Sequence, residues 1–409
     1  MREPLKIKKR KFLVMRPTIY TRDEHSVRLD QVDEHALSAV LTLQDAGHTA
    51  YLVGGSVRDL LLKKKPKDFD ISTSARPEEI KKLFQRQCLL IGRRFRLAHL
   101  RFGNKILEVS TFRAGDITSS SIILHDNRWG SEEEDVMRRD FTMNALFYEP
   151  RKQLILDYVG GVKDIEKRLL RTIGEAHLRF RQDPVRMIRL LKFQARFGFR
   201  CDEEAIHALD TCKHEIVKSA EARILEELLK MLESGRAEAF FSLLSEYGFI
   251  NLLLPCFQHF LSHNDTRELA ASYLRAADEM MQQPNIFIDR ATLLSALIFP
   301  ILEQEILTLC EDRQMILPLR DILQLTDSLL QGVCASSFVH FPKKLLGSVY
   351  LSITNQFRLT PIKGEPKYHA RFSSADDFKL ALDFLRLRCL VNPKLGHFLE
   401  HWEKPPPKE

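Results

Sequence analysis

The sequence predicts an α+β fold in which a head of mixed strands and helices precedes an all-helical neck, body and tail. Up to Gly161, short apolar runs rich in β-branched residues alternate with helical patterns and turn residues. After Gly161, apolar residues recur at helical spacing in segment after segment, and strand candidates nearly vanish. Both observations indicate a small sheet domain followed by a separate helical part.

Each element of the head is predicted from its own pattern. Residues 30–46 carry apolar positions at helical spacing and stop at Gly47, which predicts a helix. The next segments alternate between the two patterns: TAYLVGG as strand, VRDLLL as helix, KDFDIST as strand and RPEEIKKLF as helix. Residues 89–113 follow as two or three strands that turn at Gly103. A polar loop over residues 114–134 precedes the last strands, DFTMNALFYEP and QLILDYVGG.

The helical part shows its periodicity most clearly in four segments: AEARILEELLKMLESG, RELAASYLRAADEMMQ, RATLLSALIFPILEQEIL and ADDFKLALDFLRLRCLV. We therefore divide the chain into a basic N-terminal arm (1–28), a sheet-and-helix head (29–161), a helical neck (162–235) and a helical body and tail (236–409). No run of about 18 apolar residues occurs, so a membrane-spanning helix is not expected.

The composition favours a reducing compartment and a polyanionic partner. Seven cysteines are scattered without a C-x-x-C pair, so the sequence gives no support for a disulfide framework or a structural zinc site. This use of cysteine favours a reducing compartment such as the cytoplasm. The basic start of the chain lacks the apolar core and cleavage residues of a secretory signal. The net charge is +7, and basic residues crowd the first eleven positions and residues 93–101. Such clusters favour a polyanion, although a solvated surface explains them equally well.

Asp68 and Asp70 form the most informative pair of side chains. On a strand, residues two apart point to the same face, so both carboxylates should aim at one spot. Two carboxylates that close repel each other unless a cation lies between them. Mg²⁺ suits such a pair, because it binds few carboxylates together with substrate phosphates. The alternative is a D-x-D at a strand edge or turn, which is common.

The segment before this pair suits a phosphate group. Gly54 and Gly55 stand between a predicted strand and a predicted helix, where the backbone can approach an anion closely. Arg58 adds a guanidinium fork for phosphate. A tight turn explains a glycine pair alone equally well. The combination with an arginine and with two acids shortly afterwards is far less common by chance.

The segment LVGGSVRDLLLKKKPKDFDIST resembles the signature of the class II nucleotidyltransferases, the family of bacterial poly(A) polymerases and CCA-adding enzymes. Further motifs follow in the order of that family: RRDFTMNALFY (138–148), DYVGG (157–161), QDPVRMIR (182–189) and EARILEELLKML (221–232). The resemblance covers roughly residues 50–235. It implies a nucleotidyltransferase sheet with helices, then a helical neck that recognises the nucleotide base, and a helical body and tail that bind RNA.

The resemblance also implies roles for individual residues. It assigns metal binding, with two Mg²⁺ ions expected, to Asp68 and Asp70. It places five residues near the substrate ATP, in the glycine turn, in the helix after it and in the RRDFTMNALFY motif (the RRDF motif): Gly54, Gly55, Arg58, Arg139 and Asn144. Of these, Asn144 is implied to lie near the ribose. Glu108 and Asp140 are both candidates for a third catalytic acid. The alternatives are an exposed strand residue for Glu108 and a surface salt-bridge cluster for the RRD triplet.

The QDPVRM motif suggests how a base is read. Asp183 and Arg186 are three residues apart, so both can reach from one end of a helix. Asp only accepts hydrogen bonds and Arg only donates them, which matches adenine or cytosine and rejects guanine and uracil. Asp before Pro is also a good helix start, and this alternative does not exclude the function. The family usually has Glu at Gln182, so Arg186 would be held differently here. Arg189, one turn on, is a predicted phosphate contact.

One stretch of the sequence distinguishes the poly(A) polymerases from the CCA-adding enzymes of this family. LLIGRRFRLAHL, residues 89–100, resembles the corresponding stretch of the poly(A) polymerases, and CCA-adding relatives differ after its glycine. The matching side chains include a basic pair, an aromatic ring and a histidine: Arg93, Arg94, Phe95 and His99. The alternative is an amphipathic strand with a basic outer face and a core histidine.

These observations favour a template-independent polynucleotide adenylyltransferase, which would add AMP from ATP to RNA 3′ ends by two-metal phosphoryl transfer. Two alternatives stay open: a CCA-adding tRNA nucleotidyltransferase, and a catalytically silent RNA-binding protein on the same scaffold. The intact D-x-D argues against the silent protein, because a binding module has no use for two carboxylates that repel RNA.

Overall fold

The computed structural model describes residues 16–92, 97–115, 128–257, 262–283, 286–361 and 376–404. The chain divides into two compact units. The N-terminal unit comprises Met1–Asp183 and Phe199–Ala208, and the helical unit comprises Pro184–Gly198 and Leu209–Glu409. The finer division into arm, head, neck and body stays a prediction. The basic cluster at the start of the chain lies outside the described residues.

The N-terminal unit is built on a mixed sheet with two short strand pairs beside it. The strands are β1 Thr18–Tyr20, β2 Ala50–Val53, β3 Asp70–Thr73, β4 Cys88–Ile91, β5 Leu97–Phe102, β6 Lys105–Thr111, β7 Arg113–Ala114, β8 Arg128–Trp129, β9 Leu146–Glu149, β10 Leu154–Asp157, β11 Leu169–Leu170 and β12 Arg200–Cys201. Within the described residues, eight of them form one sheet in the order β1-β10-β9-β2-β3-β6-β5-β4. Strands β3 and β6 pair in parallel, and the other neighbours in this sheet are antiparallel.

The helices are distributed as the sequence predicted, since short helices alternate with strands in the N-terminal unit and helices predominate after Gly161. Those that begin in the N-terminal unit are α1 Glu34–Asp45, α2 Gly55–Leu61, α3 Pro77–Phe84, α4 Glu132–Met137, α5 Gly161–Glu166 and α6 Ala176–Gln182, with α8 Glu203–Cys212 crossing into the helical unit. The helical unit contains α7 Val185–Phe197, α9 Glu221–Leu232, α10 Ala237–Glu246, α11 Phe249–Leu253, α12 Asn264–Gln282, α13 Arg290–Arg313, α14 Leu319–Ser336, α15 Lys343–Thr354, α16 Gln356–Leu359, α17 Asp376–Val391 and α18 Gly396–Glu403.

The register of the sheet separates a core face from a site face. Leu52, Ile71, Val109 and Ala98 are cross-strand neighbours, and all four are fully buried on the face that helices α1 and α3 cover. Because neighbouring rows of side chains alternate between faces, the next row points the other way. That next row includes Asp70, so the acidic residues lie on the face opposite α1 and α3.

Local sequence also explains how helix α4 begins. Ser131 accepts a hydrogen bond from the backbone N–H of Glu134 at 3.3 Å, and the Glu134 carboxylate accepts one from the Ser131 N–H at 2.8 Å. This reciprocal pair is a capping box, which satisfies two of the free N–H groups at a helix start. The cap places α4 directly before the RRDF motif, so the helix begins inside the predicted loop over residues 114–134 and continues past its end.

Helix α13 is the apolar centre of the helical unit. Its residues from Ala291 to Leu302 are buried without interruption, among α9, α12, α15 and α17. By length and composition alone, with a mean hydropathy of 1.7, the helix could cross a membrane, and 56% of that apolar window is buried. A core helix of a large helical unit meets the same criteria, so the observation is weak support for a membrane span.

The structure confirms the predicted α+β class and the helices of the four periodic segments. Two predicted strands are shorter than expected. Strand β3 begins only at Asp70, so Asp68 precedes the strand. Of the segment DFTMNALFYEP, only β9 is strand, because Asp140 accepts hydrogen bonds from the Phe141 N–H and the Asn144 side chain and folds the chain into a short 3-10 turn at Thr142–Asn144.

Candidate active site

Three charged or titratable side chains, Asp70, Glu108 and His99, form a row across the site face of the sheet, which we call the acidic row. Asp70 in β3 is the register partner of Glu108 in β6, and Glu108 is the register partner of His99 in β5. Directly opposed residues on neighbouring strands hold their side chains side by side. The Nε2 atom of His99 lies 3.6 Å from Oε1 of Glu108. The structure therefore brings together three residues that the sequence had singled out separately.

Asp68 and Asp70 both face solvent, on either side of the buried Phe69. Asp70 is accessible to water, yet the protein atoms around it desolvate its carboxylate. This burial, together with the negative charge of Glu108, raises the pKa of Asp70 to about 6, while the charge of Arg139 opposes the shift. Asp68 adds a smaller repulsion in the same direction. Excess negative charge at this point is what a bound cation would relieve.

The acids do not form a ready-made metal cage. Among the described residues, no group of three or more His, Cys, Asp or Glu side chains lies close enough to hold one ion. Glu108 and Asp140 therefore do not complete a three-acid cluster with Asp68 and Asp70 in this structure, and the role of either as a third catalytic acid stays a prediction. Two carboxylates with open positions fit Mg²⁺, which usually takes its remaining ligands from water and substrate phosphates.

The glycine pair makes the turn that joins β2 to α2. Gly54 has a φ of +68° and a ψ of −125°, a conformation in which a side chain is strained. A Cβ atom on Gly54 would lie 3.3 Å from Nη1 of Arg139, and one on Gly55 would lie 3.5 Å from Nη2 of Arg58. Two guanidinium groups thus approach this turn closely, and the binding of phosphate there stays a prediction.

Arg58 is nearly fully buried, with 3% of its surface exposed. Its Nε and Nη2 atoms donate to Oδ1 of Asp59 at 2.9 and 2.7 Å, and Nη1 donates to Oδ1 of Asn144 at 2.6 Å. Asn144 in turn donates from Nδ2 to Oδ1 of Asp140 at 3.1 Å. Arg58, Asn144 and Asp140 therefore belong to one network beneath the glycine turn, and their contacts with nucleotide stay predictions.

Arg139 lies between the glycine turn and the acidic row. Its Nη2 atom donates to Oδ2 of Asp135 at 2.9 Å and to Oγ of Ser72 at 3.1 Å, and Nη1 donates to the Asn144 carbonyl at 3.2 Å. The guanidinium group also lies over the ring of Phe147, 5.5 Å from its centre. These contacts fix the position of a cation next to Gly54, where a polyphosphate would be attracted.

Asp135 is a functional candidate that the sequence interpretation missed. It is fully buried, and its Oδ1 atom accepts a hydrogen bond from Nε of Arg138 at 2.8 Å. Burial alone would raise the pKa of Asp135, but the charges of Arg139 and Arg138 outweigh it and lower the pKa below its ordinary value. The signal was available, because Asp135 stands three and four residues before the two arginines on a helical segment.

Arg179 is a second residue that the sequence interpretation missed, and it stabilises the backbone of the RRDF motif by hydrogen bonds. Its Nη2 atom donates to the backbone carbonyls of Arg138 at 2.9 Å and Arg139 at 2.8 Å, and its Nη1 atom donates to Oε1 of Gln182 at 2.9 Å. Both Arg179 and Gln182 are buried. Gln182 is thus part of the support of this motif, a role that the sequence interpretation did not assign to it.

The remaining predicted residues divide between the two units. Asp183 is the last residue of the first segment of the N-terminal unit, whereas Arg186 and Arg189 lie on α7 of the helical unit. Helix α7 begins at Val185, close to the predicted start. A shared role of these three residues in reading a base and binding phosphate stays a prediction. The basic pair and the aromatic ring of the poly(A)-type stretch lie outside the described residues: Arg93, Arg94 and Phe95.

Comparisons with known proteins point to one family. Residues 50–171 match the family "Poly A polymerase head domain", and residues 198–261 match "Probable RNA and SrmB-binding site of polymerase A". The chain is 35% identical to poly(A) polymerase I of Escherichia coli over 95% of this chain and 86% of that protein. The CCA-adding enzyme of Staphylococcus epidermidis is 33% identical over 62% of this chain and 63% of that protein.

Solved structures support the same fold. The CCA-adding enzyme of Bacillus stearothermophilus in complex with CTP superimposes with a TM-score of 0.63 and 26% identity, over 90% of this chain and 80% of that one. The fold and the family match thus define a nucleotidyltransferase. Within that class, the chain belongs to the poly(A) polymerase family, since its similarity to those enzymes extends over nearly its whole length. By sequence, the CCA-adding enzyme of Staphylococcus epidermidis matches only 62% of the chain.

Proposed function

We propose that this protein adds AMP from ATP to the 3′ hydroxyl of RNA without a template. One observation carries the proposal: the exposed Asp68 and Asp70 lie next to a glycine turn and a fixed arginine, in a chain that resembles poly(A) polymerase I over 95% of its length. In the reaction, the RNA 3′ oxygen bonds to the α-phosphorus of ATP. The bond to pyrophosphate breaks, and the hydroxyl proton is released.

Asp68 and Asp70 would hold Mg²⁺, with two ions expected. The raised pKa of Asp70 supports this assignment, because a carboxylate that is repelled by its neighbours gains most from a cation. When bound, Mg²⁺ would neutralise phosphate charge and increase the acidity of the attacking hydroxyl. Asp68 and Asp70 would fix the position of the bound Mg²⁺, so that the RNA 3′ hydroxyl and the α-phosphate of ATP meet in one orientation.

The glycine turn and Arg139 would hold the triphosphate. With no side chain at Gly54 or Gly55, a phosphate can approach the backbone, and Arg139 offers a fixed guanidinium beside the turn. Arg58 and Asn144, linked to each other, would keep this turn in place and set the ribose position.

The choice of base would come from the second motif. Asp183 and Arg186 offer an acceptor and a donor that match adenine, and Arg189 would bind a phosphate. Cytosine presents the same pattern, so CCA addition is the competing activity, and the similarity to CCA-adding enzymes is the reason to test it directly.

The decisive experiment offers the purified protein two primers, a generic RNA and a tRNA that lacks its CCA end, with ATP or CTP supplied separately. Long adenylate tails on both primers support the proposal. Addition of two cytidines and then one adenosine to the tRNA alone would replace it with CCA addition. RNA binding without any incorporation would indicate the catalytically silent protein. The Asp70→Ala variant is the control and should incorporate nothing.

A cytoplasmic location is part of the proposal, because ATP and RNA 3′ ends meet there. All seven cysteines are free in the structure, which is compatible with a reducing compartment.

A further inference from the structure

A small ribbon in the N-terminal unit presents an exposed tryptophan. Strands β7 and β8 pair antiparallel, with Arg113 opposite Trp129 and Ala114 opposite Arg128. Trp129 exposes 45% of its surface. The chain has one other tryptophan, Trp402 in the helical unit, which is 4% exposed and donates a hydrogen bond from Nε1 to the Leu359 carbonyl. One indole is therefore part of a core, and the other faces solvent.

Among the described residues, neither the indole of Trp129 nor the guanidinium group of Arg128 has a polar partner. In the part of the chain that the structure describes, the Trp129 indole makes no hydrogen bond, ring stack or cation contact. The guanidinium group of Arg128 forms no ion pair with a described residue, and its side chain is exposed. Arg113 lies beside Trp129 as its cross-strand partner. The ribbon therefore offers one aromatic face together with positive charge.

The ribbon is held firmly on the sheet. The Gly130 N–H donates to the Phe112 carbonyl at 3.0 Å, and a Cβ atom on Gly130 would lie 2.5 Å from the backbone nitrogen of Ala114. Only glycine allows the chain to close this tightly. In addition, the backbone N–H of Arg113 donates to Oδ1 of Asp135 at 3.2 Å. Asp135 thus connects the ribbon with the arginine that lies beside the glycine turn.

The ribbon also lies near the acidic row. Strand β7 follows β6 after a single residue, and β6 carries Glu108, the register partner of Asp70. The backbone from Glu108 to Arg113 spans at most about 18 Å even when fully extended. A strand of RNA whose 3′ end reached the acids could therefore reach the ribbon with nucleotides a short distance upstream.

We infer that Trp129 is a stacking platform for an upstream base of the RNA primer, with Arg128 attracting the phosphate backbone. This inference rests on the proposed function. Stacking on an aromatic side chain tolerates any base and targets unpaired nucleotides, which suits an enzyme that extends RNA without a template. A protein partner is a poorer match, because the indole stands alone among Arg128, Gly130 and Ser131 rather than in a broad apolar patch.

The first test measures primer dependence. For Trp129→Ala, we expect the KM for an oligoadenylate primer to rise about tenfold, while kcat at saturating primer and the KM for ATP stay unchanged. Trp129→Phe keeps an aromatic face and should restore most of the affinity. Ile106→Ala is the matched control, because Ile106 is an apolar residue of similar exposure in β6 of the neighbouring eight-stranded sheet, and its replacement should change none of these constants.

The second test reads stacking directly from fluorescence. Addition of oligoadenylate with a 3′-deoxy end should quench the emission of the wild-type protein, because a stacked base quenches an indole. The Trp129→Phe variant emits only from the buried Trp402 and should show no quenching.

The outcomes separate the two proposals. If the wild-type protein extends RNA but Trp129→Ala keeps the primer KM of the wild type, or if wild-type emission is unaffected by oligoadenylate, the platform is refuted and the proposed function stands. If the wild-type protein extends no RNA, the proposed function fails, and the platform as argued here fails with it. A rise of the KM together with quenching supports the platform.

Discussion

Oδ2 of Asp135 accepts a hydrogen bond from Nη2 of Arg139 at 2.9 Å, and this contact fixes a cation beside the glycine turn. Asp135 is fully buried, and Nη2 of Arg139 also donates to Oγ of Ser72, two residues after Asp70 in β3. Helix α4, which the sequence analysis did not predict, therefore orients a side chain of the proposed triphosphate site.

Replacing Asp135 with Asn should weaken both stability and catalysis. The change leaves Arg138 and Arg139 without their buried counter-charge, so we expect a loss of about 3 kcal/mol in the free energy of unfolding. A displaced Arg139 should raise the KM for ATP by about tenfold. Chemical denaturation and steady-state kinetics measure the two effects. Glu133→Gln, a change on the same helix at a residue with no arginine partner among the described ion pairs, is the control.

The contribution of Asp135 to stability should depend on pH in a defined direction. Its pKa is lowered in the folded protein, because the charges of Arg139 and Arg138 outweigh its burial. The stabilisation is therefore complete above the ordinary aspartate pKa of 3.8 and is lost as the pH falls through the lower pKa of the folded state. The stability difference between the wild type and Asp135→Asn should be constant near neutral pH and shrink in strong acid. A difference that grows in acid would contradict this assignment.

Asp70→Asn should abolish activity and stabilise the protein. Loss of a metal ligand should reduce kcat by about 10³-fold or more. Because burial and Glu108 raise the pKa of Asp70 to about 6, the ionised carboxylate destabilises the folded state above that pH. We therefore expect a higher Tm for the variant at pH 7 to 8 in the absence of metal, and equal Tm values below the ordinary pKa of 3.8. A lower Tm at pH 8 would show that Asp70 is not repelled by its surroundings.

Glu108→Gln should lower the pKa of Asp70. Glu108 is the register partner of Asp70, and its negative charge is the second cause of the raised pKa after burial. Carbon-detected NMR titration of aspartate-labelled protein without metal measures the shift, and the Asp70→Asn variant assigns the resonance. An unchanged titration would mean that burial alone raises the pKa of Asp70.

Gly54→Ala should impair catalysis more than an equally strained substitution elsewhere. The φ of +68° strains any side chain by about 1–3 kcal/mol, and the new Cβ atom would press on Nη1 of Arg139 from 3.3 Å. Gly103→Ala is the matched control, because Gly103 has a φ of +60° but open space around the added atom. Both variants should lose stability, and only Gly54→Ala should lose substantial activity in the incorporation assay. Equal activity of the two variants would contradict the role of Gly54 in the proposed triphosphate site.

Much of the site is visible in the sequence because its chemistry is local. The alternation of Asp68, Phe69 and Asp70 already puts two carboxylates on one side of the chain, and the structure keeps this alternation although β3 starts only at Asp70. The contact of Asp135 with Arg139 is equally local, but the sequence analysis assigned no element to residues 135–139, directly after the predicted loop over residues 114–134.

By itself, the sequence determined the class of fold, the turn at Gly54 and the acidic pair, since each depends on backbone preferences and periodicity over a few residues. The alignment of Glu108 and His99 with Asp70 depends on long-range contacts of the folded chain, and so does the support that Arg179 gives to the carbonyls of Arg138 and Arg139. Those neighbours are distant along the chain. They meet because the parallel pairing of β3 and β6 and the packing of α6 bury apolar surface, and no short-range pattern encodes that choice of partners.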